Sequence, residues 1–305
     1  MKAENTLPYK PAMALTRAGD YFLLVRPRLA LLVLVTVGAG WVLATGAEPS
    51  LDPLVHTLIG TGLLFAGASA LNQLLERRSD ALMARTVDRP LPSGRLRPWE
   101  VLVLGCTLNV VGLAYLLAAQ QVLAAELGVF ALVSYVLIYT PLKSKTTLNT
   151  LIGAIPGAVP PLMGWAAARG QLDLGALVLF LVVFLWQVPH FLAIAWIYRD
   201  QYARAGSRML PVFDLNGVQT GRQMIRFTLV LILVSLLPFV LSMGSGISAL
   251  GALVLGVGFL GAVLKFARMP TIPRARVVFR ASLFYLPALL LIFVLDASLY
   301  KGVSP

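Results

Sequence analysis

Apolar residues come in long unbroken runs along nearly the whole chain, separated by short polar stretches. Nine runs stand out, at about residues 29–46, 53–75, 99–118, 122–139, 150–168, 172–196, 224–243, 246–265 and 279–298. Each is long enough to cross a hydrocarbon layer of about 30 Å as a helix. Apolar residues follow one another within the runs instead of alternating, which predicts helices and excludes barrel strands. The expected class is therefore all-α, a polytopic membrane protein with nine transmembrane helices. Residues 1–20 are polar and hold two prolines, so they are read as a flexible cytoplasmic tail. Residues 21–305 form a single transmembrane domain. No short apolar segment with a small-residue cleavage site precedes the first run, which is long enough to stay in the membrane.

Composition excludes a soluble protein. Of 305 residues, 58% are hydrophobic and 12% charged, against about 25% charged in soluble domains, and the mean hydropathy is +0.83. The one cysteine, Cys106, lies inside an apolar run and allows no disulfide framework. The net charge of +12 would suit nucleic acid, but its distribution points to the lipid bilayer instead. All of the 25 lysines and arginines except Arg169 and Lys301 fall in the tail or in alternate loops. The positive-inside rule then puts the N-terminus in the cytoplasm and the C-terminus outside. An odd helix count preserves that alternation.

Two inside loops, about 76–98 and 197–222, are longer than the rest and mix acids with arginines, which topology alone does not require. Asn72, Glu76 and Asp80 stand four apart where the second run ends. On a helix that spacing puts three oxygen-bearing side chains on one face, roughly 6 Å apart along the axis. Arg85, Thr86, Arg89, Pro90 and Leu91 follow. Two carboxylates and an amide backed by arginines suit a Mg²⁺–diphosphate complex. Carboxylates take the hard cation, which shares its shell with substrate phosphates, and guanidinium forks take the remaining oxygens.

Three further groups carry candidate chemistry. Tyr139 and Lys143, four apart at a helix end with Lys145 nearby, can reach one phosphate; an interfacial tyrosine and a snorkelling lysine read equally well. Trp186-Gln-Val-Pro-His-Phe191 lies deep in the sixth run, with Gln187 three residues before His190, and Tyr198-Arg199-Asp200 follows. An intramembrane histidine needs a hydrogen-bond partner, in a substrate site or between helices. Pro189 is expected to kink this helix, and Asp200 is the natural further metal carboxylate. The run from Asn149 to Trp165 is dense in glycine and proline, which permits close helix approach and local unwinding, with Asn149 at the cytoplasmic mouth.

Together these segments resemble the UbiA superfamily of intramembrane prenyltransferases, over about residues 20–297. The motifs are the Asn72–Arg89 run ending in Arg-Pro-Leu-Pro-Ser-Gly, the Tyr-Thr-Pro-Leu-Lys before Asn-Thr-Leu-Ile-Gly-Ala-Ile-Pro-Gly-Ala, and Trp-Gln-Val-Pro-His-Phe followed by Tyr-Arg-Asp. The last two resemble the branch that farnesylates haem more than the branch that prenylates quinone precursors. The resemblance implies nine helices around a central cavity open to the cytoplasmic side, in a bacterial inner membrane. It implies a Mg²⁺-dependent transfer from farnesyl diphosphate to haem B, which is a substrate and not a cofactor. The catalytic set it implies is Asn72, Glu76, Asp80, Arg85, Arg89, Lys143 and Asp200, with Glu76, Asp80 and Asp200 as metal ligands. Tyr139, Lys145, Asn149, Gln187, His190, Tyr198 and Arg199 would bind substrate. A downstream haem A synthase or terminal oxidase assembly partner is implied by family only. The chain departs from the family pattern at Glu76, usually Asp, and at Arg78 and Gln201, where further acids are common; the extra methylene of Glu76 moves the ion. The rival classes are a quinone-precursor prenyltransferase, a transporter or channel for an anionic amphiphile, and a haem-binding assembly protein without catalysis. The carboxylates argue against a pure anion pathway unless a metal bridges them.

Overall fold

The computed structural model describes residues 16–45 and 50–301. Among them every regular element is helical, and nine spans are long and apolar enough to cross a membrane. They are α1 (Arg17–Ala44), α2 (Asp52–Asp80), α3 (Pro98–Ala118), α4 (Val122–Leu142), α5 (Asn149–Arg169), α6 (Leu174–Ile197), α7 (Val218–Val240), α8 (Gly246–Arg268) and α9 (Ile272–Leu299). The chain is thus an all-α, multi-pass membrane protein, with one span for each apolar run. The tail expected over residues 1–20 lies outside the described residues as far as residue 15, and Arg17 to Asp20 already belong to α1.

Three spans begin well before their apolar runs: α1 at Arg17 rather than 29, α7 at Val218 rather than 224, and α9 at Ile272 rather than 279. The added turns carry Asp20, Arg222, Arg274 and Arg276. Hydropathy marks the hydrocarbon layer, whereas backbone hydrogen bonding continues into the headgroup region. In α1 the added part is a separate piece, Arg17–Leu24, joined to Pro27–Ala44 through Arg26, whose φ is 48°.

The glycine- and proline-rich α5 is interrupted between Gly157 and Pro160, matching the unwinding read from its sequence. In α4 the stretch Val133–Tyr139 is π-helical. Pro189, where a kink was expected, sits inside a helix that runs without a break from Leu174 to Ile197. A single missing N–H in a transmembrane helix is readily compensated by neighbouring groups.

Consecutive spans are neighbours, α9 returns to α1, and α1 also lies along α5. The α1–α5 contact is backbone against backbone. A Cβ on Gly40 would fall 2.0 Å from the Pro161 carbonyl oxygen, and one on Gly164 would fall 1.9 Å from that of Val37. Lipid tails are as apolar as leucine, so close packing of small residues takes over the work that water exclusion does in soluble cores. The largest apolar cluster centres on α6, where Leu179, Val182, Leu192 and Trp196 are buried. α6 is therefore held firmly along its length, and the polar groups of interest gather at the end of the bundle that carries the basic loops.

Candidate active site

At the end of α2, Asn72, Glu76 and Asp80 share one face as the spacing of four requires, and each has its own partner. Asn72 Nδ2 donates to Thr140 Oγ1 at 3.0 Å. The Thr140 hydroxyl donates in turn to the Tyr135 carbonyl at 2.8 Å, inside the π-helical stretch of α4. π-Helical turns occur often at functional sites; here Lys143 reaches α2 from beyond the turn, with the Tyr139 ring 5.9 Å from its Nζ and lying against Gly153 of α5. Lys143 Nζ donates to Glu76 Oε1 at 2.8 Å, and Arg89 Nη1 donates to Asp80 Oδ2 at 2.6 Å. Thr86 Oγ1 donates to the Asp80 carbonyl at 2.8 Å, pinning the loop that carries Arg85 and Arg89 to the helix end. Burial works against the Lys143 ammonium, but Tyr139 and Glu76 beside it more than offset that, and its pKa lies above the ordinary lysine value. Burial and the nearby Arg26 charge lower that of Arg89, against the pull of Asp80. Both remain cations at neutral pH.

The loop after α6 closes over this group from one side. Arg85 stacks on the rings of Tyr198 at 5.1 Å and Tyr202 at 5.7 Å, and its Nη2 donates to the Tyr202 hydroxyl at 3.2 Å. Its backbone N–H donates to Gln201 Oε1 at 3.3 Å. Gln201, noted above as a lost acid, here ties the two loops together. Asp200 is not brought to the other carboxylates. Its side chain is 88% exposed, and its neighbour is Arg199 Nε at 3.7 Å, while Arg199 itself lies on the Trp196 ring at 4.6 Å. Among the described residues no group of three His, Cys, Asp or Glu side chains is gathered for a metal. The expected trio of Glu76, Asp80 and Asp200 is therefore two plus one.

The remaining expected residues divide by role. Asn149 is fully buried, and its Nδ2 donates to the carbonyls of Thr146 at 2.7 Å, Arg208 at 2.9 Å and Lys143 at 3.3 Å. That makes it a clamp on the α4–α5 loop with no donor left for substrate. Lys145 is exposed. Gln187 Nε2 donates to the Ala154 carbonyl of α5 at 3.2 Å. His190 packs toward α9, with Nδ1 2.8 Å from Ser282 Oγ and its ring stacked on Trp186 at 4.8 Å. Neither joins the carboxylate group. Three residues near it were not read from sequence as site residues: Tyr135, Tyr202 and Arg26. The charge of Arg26 acts on Glu76, Arg89 and Tyr135. Its signal was an Arg-Pro pair at the very mouth of the first run, hidden because an arginine there also fits the topology rule.

The donor set suits a divalent cation shared with a ligand. One oxygen of Glu76 and one of Asp80 are engaged by Lys143 and Arg89. Among the described residues no hydrogen-bond donor reaches Glu76 Oε2 or Asp80 Oδ1. Two free carboxylate oxygens one turn apart are what Mg²⁺ takes from a protein when phosphates complete its shell. Around them stand Lys143, Arg85, Arg89 and Arg26.

The UbiA prenyltransferase family model matches residues 33–288, taking in the α2 face, the α4 lysine and the α6 segment. The chain belongs to the UbiA prenyltransferase family. Among similar proteins, the "Protoheme IX farnesyltransferase" of Solibacter usitatus is 43% identical over 286 residues, covering 91% of this chain and 98% of that relative. The "Protoheme IX farnesyltransferase" of Myxococcus xanthus is 43% identical over 282 residues, covering 92% and 95%. In fold, this UbiA chain is similar to a digeranylgeranylglyceryl phosphate synthase, with TM-score 0.78 at 17% identity over 92% of this chain and 98% of that one. It is also similar to a UbiA homologue from Archaeoglobus fulgidus bound to DMAPP and Mg²⁺, with TM-score 0.68 at 15% identity over 92% and 99%.

Proposed function

We propose that this UbiA chain transfers a farnesyl group from farnesyl diphosphate to haem B, giving haem O and diphosphate. The observation that carries the reading is the end-to-end likeness, at 43% identity, to relatives called Protoheme IX farnesyltransferase. The residues supply a route. Glu76 and Asp80 would hold Mg²⁺, with Asp200 drawn in from the α6–α7 loop and Asn72 fixing the α2–α4 contact. Mg²⁺ there supplies positive charge to the diphosphate. The same ion is present with a prenyl diphosphate in the Archaeoglobus homologue. Lys143, Arg89 and Arg85 then face the leaving diphosphate and stabilise the charge that builds on it. As the C1–O bond breaks, the electron pair leaves with the diphosphate and an allylic cation remains. Apolar helix surface within the bundle, in the central cavity the family implies, keeps water from early capture. The terminal vinyl carbon of haem bonds to C1, and the cation passes to the carbon next to the ring. Water adds there and loses one proton, leaving a hydroxyl.

The carboxylates and cations lie at the bundle end that carries the basic loops, so the active site faces the cytoplasm and the C-terminus lies outside, in a bacterial inner membrane. The product is handed on within the membrane to enzymes or assemblies that use modified haem.

The test uses membranes carrying the protein, given haem B, farnesyl diphosphate and Mg²⁺, with and without a chelator. Mass spectrometry is expected to find haem plus farnesyl plus hydroxyl, lost on chelation. Folded protein, intact farnesyl diphosphate and no such product would overturn the assignment of the acceptor.

A further inference from the structure

We propose that Asp20 and Arg95 are positioning residues of the prenyl-transfer site. Their ion pair, buried on the Asp20 side, docks the helix Arg17–Leu24 onto the arginine loop 81–97 and so sets Arg26 and Arg89 beside Glu76 and Asp80. The inference rests on the reading of that site as the diphosphate-binding end.

Asp20 is 3% exposed, and Arg95 Nε donates to its Oδ1 at 2.8 Å. The same guanidinium donates through Nη2 to the carbonyl of Asp88 at 2.8 Å, the residue before Arg89. One side chain thus joins the N-terminal helix to the segment that bears a site arginine. A buried ion pair gains little net stability once desolvation is counted, but it fixes geometry, and losing one partner is expensive.

Four residues on, Leu24 is held from two directions. Its side chain is wholly buried among Leu74 of α2, Leu91 and Leu96 of the loop and Val101 of α3. Its carbonyl accepts from Ser69 Oγ at 2.9 Å and Gln73 Nε2 at 2.8 Å. The opposite face of this short helix exposes Phe22 and Leu23, so it lies between the loop and lipid. Directly after it, Arg26 adopts a left-handed backbone, φ 48°, immediately before Pro27. A side-chain-bearing residue in such a conformation is strained and persists only where the surroundings impose it. The surroundings here are the Leu24 clamp on one side and Pro27 on the other. Arg26 is half-buried, and among the described residues it makes no ion pair with a carboxylate. An imposed, unpaired guanidinium beside Glu76 and Arg89 is suited to an anionic ligand oxygen.

The full-length protein in detergent tests this. Binding of farnesyl thiodiphosphate, a donor analogue that does not react, is measured with Mg²⁺ for the wild type, Asp20→Asn, Arg95→Met and the double variant. Phe22→Ala, on the exposed face of the same helix, serves as control. Each latch variant is expected to bind the analogue about tenfold more weakly, and the double no worse than the singles, because the pair acts as one unit. With farnesyl diphosphate, KM rises by the same factor while kcat at saturation stays within about twofold. Unchanged affinity overturns the proposal. So does a fall in kcat with KM unchanged, which marks loss of folded protein only, and so do additive losses in the double variant. No binding of the analogue by the wild type would instead overturn the diphosphate reading and the latch with it. Because binding of the analogue involves no haem, a wrong acceptor leaves that readout intact.

Discussion

The two acid-bearing regions of this molecule are built differently. At the end of α2 every acid facing the site has a cation of its own: Glu76 with Lys143 and Asp80 with Arg89. In the loop after α6 the acid Asp200 is exposed, 3.7 Å from Arg199, and the inward contacts are made by Tyr198, Gln201 and Tyr202. The first half of the site is charge-paired before any ligand binds. The second carries its acid on the surface, where no burial cost opposes its movement. On the proposed reading the paired half would hold metal and phosphate, and Asp200 would have to move inward to add a ligand. Four substitutions break or sharpen that contrast.

The largest effect belongs to Asp80→Asn. The amide keeps an acceptor for Arg89 but loses the negative charge. A fall in kcat of about a thousandfold or more, with the helical content and thermal transition of the wild type, is the expected result. Near-normal turnover would show that the paired half does not hold the metal.

Asp200→Asn acts on the other half. If Asp200 joins the site only on closure, the Mg²⁺ concentration for half-maximal rate rises about tenfold, and the protein is otherwise as stable as before, since an exposed side chain has little to lose. An unchanged Mg²⁺ dependence would mean that Glu76 and Asp80 suffice and that the loop after α6 contributes only Arg85's platform.

Asn149→Ala probes what joins the halves. Its amide holds Lys143 on one loop and Arg208 on the other. Removing it takes this donor from the carbonyls of Thr146, Arg208 and Lys143, at about 1 kcal/mol. A rise of a few-fold in KM for farnesyl diphosphate is expected, since Lys143 rides on that loop. A change confined to the acceptor's KM would return Asn149 to the substrate-binding role read from sequence.

That role shows where sequence reasoning reached and where it stopped. Nine spans were legible because lipid imposes one simple rule, a long apolar run. The α2 face was legible because acids spaced by four at the end of such a run, facing the bundle, have a cost that only partners or a ligand offset. The start of α1 was not, because Arg17–Leu24 mixes charges with exposed Phe22 and Leu23 and breaks the apolar pattern while remaining helical. Asn149 was recognised as unusual, yet its partners include Arg208, far along the chain, and periodicity says nothing about such pairings. Arg26 was counted among topogenic cations because charge counting cannot tell which way a side chain faces. The gathering of Asp200 with Glu76 and Asp80 was read from residue type and from family likeness, neither of which fixes where a loop side chain points, and the structure keeps it apart.

The smallest effect tests whether His190 serves packing or substrate. Ser282 has one proton, and it goes to the Phe279 carbonyl at 2.7 Å. His190 must then donate from Nδ1 to Ser282 Oγ, which leaves the lone pair on Nε2. Among the described residues Nε2 has no hydrogen-bond partner, and it is not among the buried polar atoms lacking one, so it reaches open space. Ser282→Ala removes the group that fixes this tautomer and leaves the stacking on Trp186 in place. If His190 only packs α6 against α9, stability falls by about 1 kcal/mol and both KM values hold. If Nε2 meets the haem, the tautomer matters: KM for haem B rises about threefold while that for farnesyl diphosphate does not move. Equal shifts in both would mean that the change loosened the bundle as a whole, and the α6 histidine would carry no information about the acceptor.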